Sequence, residues 1–333
     1  MSHRTRDLLR RFAALALGLV ILAVIARTVD WAQAGQVLEG ASVGGLLLAG
    51  IFYLPPWILR GWRWRLLARD LDEEVPLGPA VAMATVGNML NLVLPAKAGD
   101  LLWANAANAR FGTRWLPAVV SVLAGRVFDL GVLMSLAAAA LLFVPEARFA
   151  AAAGPMLAAL GLGTGLGLVL FVRLRLGRFL LIGPLRRFLP LHDRLVGAAG
   201  AITGVRALAR QVGLTALIWV NEGLVAWLVA GALGLSIGPA AILVAIGVAN
   251  LSKIVPLTPA SFGTYEAAGA LAVQSLAGVE YSAAFAALLA EHLLKNGVNL
   301  LLGLVALGVA EVPVLRVDLE RVRGAWRAAL RGE

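Results

Sequence analysis

The sequence predicts an all-α polytopic membrane protein with about six full transmembrane helices and two re-entrant helical hairpins in an inverted-topology repeat. Three observations predict it. The chain is 60% hydrophobic with a mean hydropathy of +0.86, whereas soluble domains run at roughly 45–50% apolar. Several apolar runs approach or exceed the roughly 20 residues that a helix needs to cross a bilayer core. The basic residues flank those runs, which is the pattern that orients membrane helices. Period-2 alternation is absent, which argues against a β-barrel.

The elements follow in order. Phe12 to Ala26 is apolar and preceded by Arg4, Arg6, Arg10 and Arg11. It lacks a convincing small-residue cleavage site, so it reads as a first span with its N-terminus inside. Asp30 to Glu39 is a short amphipathic stretch outside. Val43 to Leu59 is the second span, kinked at Pro55-Pro56. It ends in Arg60-Gly61-Trp62-Arg63-Trp64-Arg65, which reads as a cluster of interfacial anchors. Pro79 to Leu94 is apolar but short and stops at Pro95. The following Asp100 to Phe111 carries Asp100, Asn105, Asn108 and Arg110, so it suits lipid poorly. A re-entrant hairpin turning at Pro95-Ala96-Lys97-Ala98-Gly99 accounts for both, provided protein or a water-filled cavity covers the broken backbone.

Leu116 to Val144 and Met156 to Val172 are the next spans. Arg173 to Arg210, with eight arginines, is a basic, partly amphipathic segment expected to lie on the anionic cytoplasmic leaflet. Val212 to Leu233 is a further span. Pro239 to Val255 is short and ends at Pro256-Leu257-Thr258-Pro259-Ala260-Ser261-Phe262-Gly263, and Thr264 to Leu276 returns as a second hairpin. Ala283 to Ala310 is the last span, and 311–333 is a basic cytoplasmic tail. Of 29 basic residues, 23 fall in segments placed inside and only Arg27 and Arg148 outside. Arg126, Lys97, Lys253 and Lys295 fall at membrane depth. The whole chain, 1–333, is thus expected to be one transmembrane domain with both termini cytoplasmic, in a bacterial-type inner membrane.

The hairpin turns resemble each other: Pro95-Ala-Lys-Ala-Gly99 aligns with Pro259-Ala-Ser-Phe-Gly263. Each follows an Asn-containing apolar run, precedes a carboxylate (Asp100, Glu266), and leads to a span with buried charges. The first unit, 43–144, begins outside and the second, 212–310, begins inside. Inverted repeats with broken helices are a transporter architecture, with hairpins entering from opposite faces.

Charges at membrane depth cost about 2.5–3.5 kcal/mol each on insertion scales, so each needs a reason. Arg126 and Asp129, three apart, share a helix face and can pair, as can Glu291 and Lys295, four apart. Lys97 and Lys253 sit at the hairpin turns, where free backbone amides and a lysine suit an anion such as a lipid phosphate. The alternative for them is snorkelling to the surface or pairing with Asp100 or Glu266. Glu222 and Glu266 are candidate proton carriers, and Glu266 equally suits a helix N-terminal cap. His292 beside Glu291 suits packing or titration near neutral pH. The substrate-binding candidates are therefore Lys97, Asp100, Arg126, Asp129, Lys253, Glu266, Glu291 and Lys295.

The absence of cysteine excludes disulfides, thiolate metal sites and a cysteine nucleophile. His3, His192 and His292 lie far apart, and no HExxH, Walker A, dinucleotide or GxSxG pattern occurs. Gly161 to Gly167 reads as close helix packing. No catalytic residue, metal or cofactor is expected, so the chain reads as no enzyme. The net charge of +10 would suit nucleic acid, but its placement at membrane flanks does not.

The motifs Asn91-Leu-Val-Leu-Pro95-Ala-Lys97-Ala-Gly99-Asp100, Gly125-Arg126-Val-Phe-Asp129 and Pro256-Leu-Thr-Pro259-Ala-Ser-Phe-Gly263-Thr-Tyr-Glu266 resemble the lysylphosphatidylglycerol synthase transmembrane (flippase-like) family. The resemblance covers most of the chain. It implies a lipid-flipping membrane domain with two re-entrant hairpins. The aminoacyl-transferase domain of bifunctional members is not found before Glu333, so a stand-alone member without synthase activity is expected. The family carries Arg at the Lys97 position and Glu at the Asp100 position, so charge is kept here. The expected function is translocation of an anionic or phosphate-bearing lipid, a membrane phospholipid or polyprenyl phosphate. Two rivals remain: a scaffold for a lipid-modifying or glycosyltransferase partner, and a membrane enzyme acting on lipid phosphates.

Overall fold

The computed structural model describes residues 20, 22–93, 99, 102, 106–108, 111–144, 147–175, 177–181, 183–254 and 258–310. The described regular elements are all helical. They are α1 (Trp31–Glu39), α2 (Val43–Phe52), α3 (Pro55–Asp70), α4 (Leu77–Val93), α5 (Trp115–Ala140), α6 (Ala147–Arg173), α7 (Leu189–Ile202), α8 (Val205–Ala232), α9 (Pro239–Leu251), α10 (Thr264–Ala277) and α11 (Tyr281–Ala310). Short helical turns occupy Leu141–Phe143, Gly177–Leu180, Gly183–Phe188 and Pro259–Ser261.

Local chemistry explains the boundaries. Asp30 caps α1 by accepting from the amides of Ala32 and Gln33 at 3.0 and 3.1 Å. Ser42 caps α2 through the Gly45 amide at 3.2 Å. Pro55 and Pro56 occupy the first turn of α3, where no amide partner is needed. The helix then continues to Asp70, well past the expected end near Leu59. That extension corrects one expectation: Arg63 and Trp64 are buried rather than interfacial, while Trp62 is exposed. Likewise α8 begins at Val205, ahead of the expected span, so Arg210 lies on the helix and pairs with Asp70.

Four segments are long and apolar enough to cross a membrane: Val43–Asp70, Trp115–Phe143, Val205–Ala232 and Tyr281–Gly308. Shorter apolar helices cover Gly154–Leu170 and Pro239–Leu251. The expected span at Met156 to Val172 thus falls on a shorter apolar stretch of α6. The expected first span lies mostly outside the described residues, as do Lys97, Asp100, Pro256, Leu257 and the 311–333 tail. The chain is a multi-pass membrane protein.

Residue contacts divide the chain into two compact units. The first comprises Met1–Tyr53, Leu136–Pro155 and Val220–Val298; the second comprises Leu54–Ser135, Met156–Trp219 and Asn299–Glu333.

In the first unit, α9 and α10 pack as a helical hairpin. The fit is close because Gly269 has no side chain: a Cβ there would lie 2.9 Å from Leu288 and 3.3 Å from Ala249. Ala245, Ala249, Ala270, Val273 and Ala284 fill this core. At the turn, Ala260 (φ 48°) and Ser261 (φ 61°) adopt left-handed backbone, and Gly263 has φ 82°. Such non-glycine conformations are sparsely used and concentrate at functional sites. Gly263→Ala is expected to destabilise the protein by about 1–3 kcal/mol. The added Cβ would also sit 2.8 Å from Leu22. Thermal unfolding in detergent checks this, and an unchanged midpoint would refute it.

In the second unit, α3 packs on α4 around Trp64, Ala68, Met83, Val86 and Met89. By Gly99 the chain has come back onto α4. A Cβ at Gly99 would press on the Gly87 carbonyl and lie 2.9 Å from the Asn91 amide. Ala106 and Ala107 are buried in the same core. A second core joins Leu67, Leu71, Val120, Phe128, Val172, Val196 and Ile202. Beside it, Arg178 clasps Asp193 at 2.6 and 2.8 Å.

Candidate functional site

Each unit holds a cluster of buried charge.

In the second unit, α3 brings Arg60 and Arg63 to one face, three residues apart. Asp129 of α5 accepts two bonds from Arg63, Nη1 to Oδ1 at 2.6 Å and Nη2 to Oδ2 at 3.0 Å. This is the planar fork that guanidinium offers to carboxylates and phosphates alike. Arg63 Nη1 also donates to Thr215 Oγ1 at 2.9 Å, and Trp219 Nε1 to Asp129 at 3.3 Å. The bidentate partner of Asp129 is thus Arg63, 66 positions away on α3. Beneath it, Trp64 Nε1 donates to Ser121 Oγ at 2.8 Å. Arg60 lies over the Trp57 ring at 5.0 Å.

These groups line a cleft of about 440 Å³, counting its open part, with Asn88, Ser121 and Gly125. Three guanidinium groups, of Arg60, Arg63 and Arg126, face it against one carboxylate, Asp129, among the described lining residues. Such a wall is suited to an anion.

In the first unit, Lys295 of α11 is the centre. Its ammonium pairs with Glu222 Oε2 of α8 at 2.7 Å and with Glu291 one turn earlier. It also donates to the Glu222 carbonyl at 3.3 Å and lies 5.7 Å from the Tyr53 ring. Tyr265 donates its hydroxyl to Glu291 at 3.1 Å, and Lys253 stands 3.8 Å over the Tyr265 ring. Glu266 accepts from the Gly263 amide at 2.6 Å, the N-terminal cap the sequence suggested. Its other oxygen meets His292 Nδ1 at 2.6 Å. The imidazole packs against Phe262 and Tyr265, at centroid distances of 4.8 and 4.6 Å.

Of the eight candidates, Lys253, Glu266, Glu291 and Lys295 therefore share one network, while Arg126 and Asp129 belong to the other unit. Lys97 and Asp100 lie outside the described residues. Sequence reasoning missed Arg60, Arg63 and Tyr265 as site residues and left Glu222 and His292 off the binding set. For Arg60 and Arg63 a signal existed, since their spacing of three puts both on one helix face. Among the described residues no group of three His, Asp or Glu side chains is arranged to hold a metal.

Comparison with known proteins adds two findings. Residues 11–303 match the family described as Lysylphosphatidylglycerol synthase TM region. A protein of Haloferax volcanii named Glycosyltransferase AglD is 29% identical, over 87% of this chain and 53% of its own length. This chain thus spans about half the length of that relative. The match corrects the expectation that the chain is no enzyme, because a relative this similar carries an enzyme's name.

Proposed function

This chain belongs to the lysylphosphatidylglycerol synthase TM-region family, and we propose that it binds a lipid by an anionic, phosphate-bearing headgroup and moves that headgroup between leaflets. The observation that carries the reading is the cleft where Arg60, Arg63 and Arg126 face one carboxylate, Asp129. A lipid crossing a bilayer is opposed chiefly at its polar head, since its tail can stay in hydrocarbon. A guanidinium-lined cleft replaces the water that a phosphate would lose. Asp129 holds the Arg63 fork in place while the cleft is empty.

The two hairpins, at 79–111 and 239–276, act in this proposal as moving parts of inverted repeats at 43–144 and 212–310. Lys97 and Asp100 would serve the first turn, and Lys253 and Glu266 the second. Glu291 and Lys295 would brace the second hairpin. The membrane would be the cytoplasmic one, with both termini inside. The substrate would be a phospholipid or polyprenyl phosphate. A lipid-modifying enzyme could act beside it.

The glycosyltransferase-named relative favours a second reading. In it the same cleft presents a lipid phosphate for glycosyl transfer.

Headgroup movement in proteoliposomes tests the first reading, using fluorescent anionic, zwitterionic and polyprenyl-phosphate lipids. Faster movement of a phosphate-bearing class is expected. Arg126→Ala should slow it roughly tenfold or more, as expected for losing a charged hydrogen bond worth about 1.5–3 kcal/mol. No acceleration for any lipid would sink the translocator reading. Lipid-phosphate binding without movement would favour glycosyl transfer.

A further inference from the structure

The segment between α6 and α8 is set apart by its charge and by what it leaves exposed. From 173 to 210 the chain carries eight arginines and one carboxylate, Asp193. It joins the apolar stretch that ends at Leu170 to the span that begins at Val205. A helix lying on a leaflet turns its apolar face to lipid. In α7 that face is turned to the protein instead: Val196, Ala199 and Ile202 are buried in one core with Leu67, Phe128 and Val172. Leu67 also lines the cleft, so the segment is built onto the cleft's own scaffold. Large apolar side chains are left exposed at the joints on either side of α7.

Leu174, Phe179 and Val205 are 58%, 75% and 85% exposed. Arg175, Arg186 and Arg206 are exposed among them. Two contacts gather these positions. Arg173 Nη2 donates to the Thr203 carbonyl at 3.3 Å, which sets the end of α6 beside the start of α8. Leu174 and Arg175 therefore leave from the same junction as Val205 and Arg206. The Arg178–Asp193 clasp draws Phe179 to α7 and engages the segment's one carboxylate. Arg175 turns out of α6 in left-handed backbone, φ 51°, which non-glycine residues use sparsely. Apolar side chains held out among arginines suit the headgroup layer of a bilayer. There the apolar groups meet acyl chains, while the guanidinium groups stay with anionic headgroups.

We propose that the joints on either side of α7 form a docking surface for an anionic lipid leaflet. Leu174, Phe179 and Val205 enter the headgroup layer, and Arg175, Arg186 and Arg206 meet its negative charge. The occupant is set by charge complementarity and by position. Eight arginines stand against one carboxylate that Arg178 already holds. The joints also directly adjoin the apolar stretch of α6 and the span of α8. This docking needs no part of the translocation reading.

The chain has no cysteine, so a fluorophore on Phe179→Cys, and in a second sample on Val205→Cys, reports one position at a time. The full chain is placed in nanodiscs of phosphatidylcholine alone or of phosphatidylcholine mixed with phosphatidylglycerol. Acrylamide quenches the label from water, and a lipid spin-labelled near its headgroup quenches it from the bilayer. In the mixed discs the label should be shielded from acrylamide and quenched by the spin-labelled lipid. Arg175→Glu combined with Arg206→Glu should lower the docked-to-free ratio roughly tenfold or more, since each arginine near an anionic surface contributes about fivefold. If that variant does not fold, salt at about 1 M should have the same effect on the labelled chain, because it screens charge beyond about 3 Å. Equal shielding in both kinds of disc overturns the proposal. Shielding from acrylamide without quenching by the spin-labelled lipid also overturns it, and would mean that protein covers this surface.

Discussion

Asp129→Ala is expected to cost the protein about 3–5 kcal/mol, the penalty for removing one partner of a buried ion pair. Asp129 accepts both arms of the Arg63 fork and the Trp219 indole. Without it, a guanidinium whose side chain is 8% exposed keeps one described side-chain partner, Thr215. The cost comes from the stranded charge more than from the lost bond. The double replacement Arg63→Met with Asp129→Leu should therefore recover most of the stability, because neither charge is then buried. It should not recover lipid handling, since the fork that would meet a phosphate is gone. Thermal unfolding in detergent, measured on both variants, separates these effects. A loss under about 1 kcal/mol for Asp129→Ala would mean that water in the cleft already solvates Arg63, as for exposed pairs.

How much of this was legible in the sequence depends on distance along the chain. Features set by local spacing were readable. Glu266, three residues after Gly263, suggested a cap and makes one. Glu291 and Lys295, one helical turn apart, pair as that spacing allows.

Partners far apart were not readable. Arg63 and Asp129 are separated by 66 positions, Glu222 and Lys295 by 73, Glu266 and His292 by 26. No single-helix periodicity joins them. Arg63 was also sorted wrongly for a physical reason. A basic residue between tryptophans at the end of an apolar run looks the same whether it snorkels to the interface or turns inward to a carboxylate. Only the continuation of α3 to Asp70 decides between them. For Arg126 and Asp129, the i,i+3 spacing puts both on one face of α5, but the fork that Arg63 brings to the carboxylate from 66 positions away has no such signal.

Lys295→Ala should be at least as damaging, again about 3–5 kcal/mol, because it leaves two carboxylates together rather than one charge alone. The side chains of Glu222 and Glu291 are only 6% and 2% exposed, and Lys295 joins them across α8 and α11. Removing it converts two attractions into a repulsion in a medium that screens poorly. The partners should not be equivalent. Glu222→Gln leaves Lys295 with Glu291, which is i,i+4 on its own helix. Glu291→Gln also weakens the acceptor of the Tyr265 hydroxyl, and with it the tie to α10 under Lys253. The second change should therefore loosen the hairpin, raising exchange in α10, while the first should chiefly free α8. Lys295→Met combined with both glutamines should regain most of the stability lost in Lys295→Ala, since the two carboxylates that the lysine held together are then uncharged. Measured as a cycle, Lys295 should couple to each glutamate by about 0.5–3 kcal/mol. Coupling near zero to both would mean that the cluster is hydrated and that its ion pairs do not hold α8 to α11.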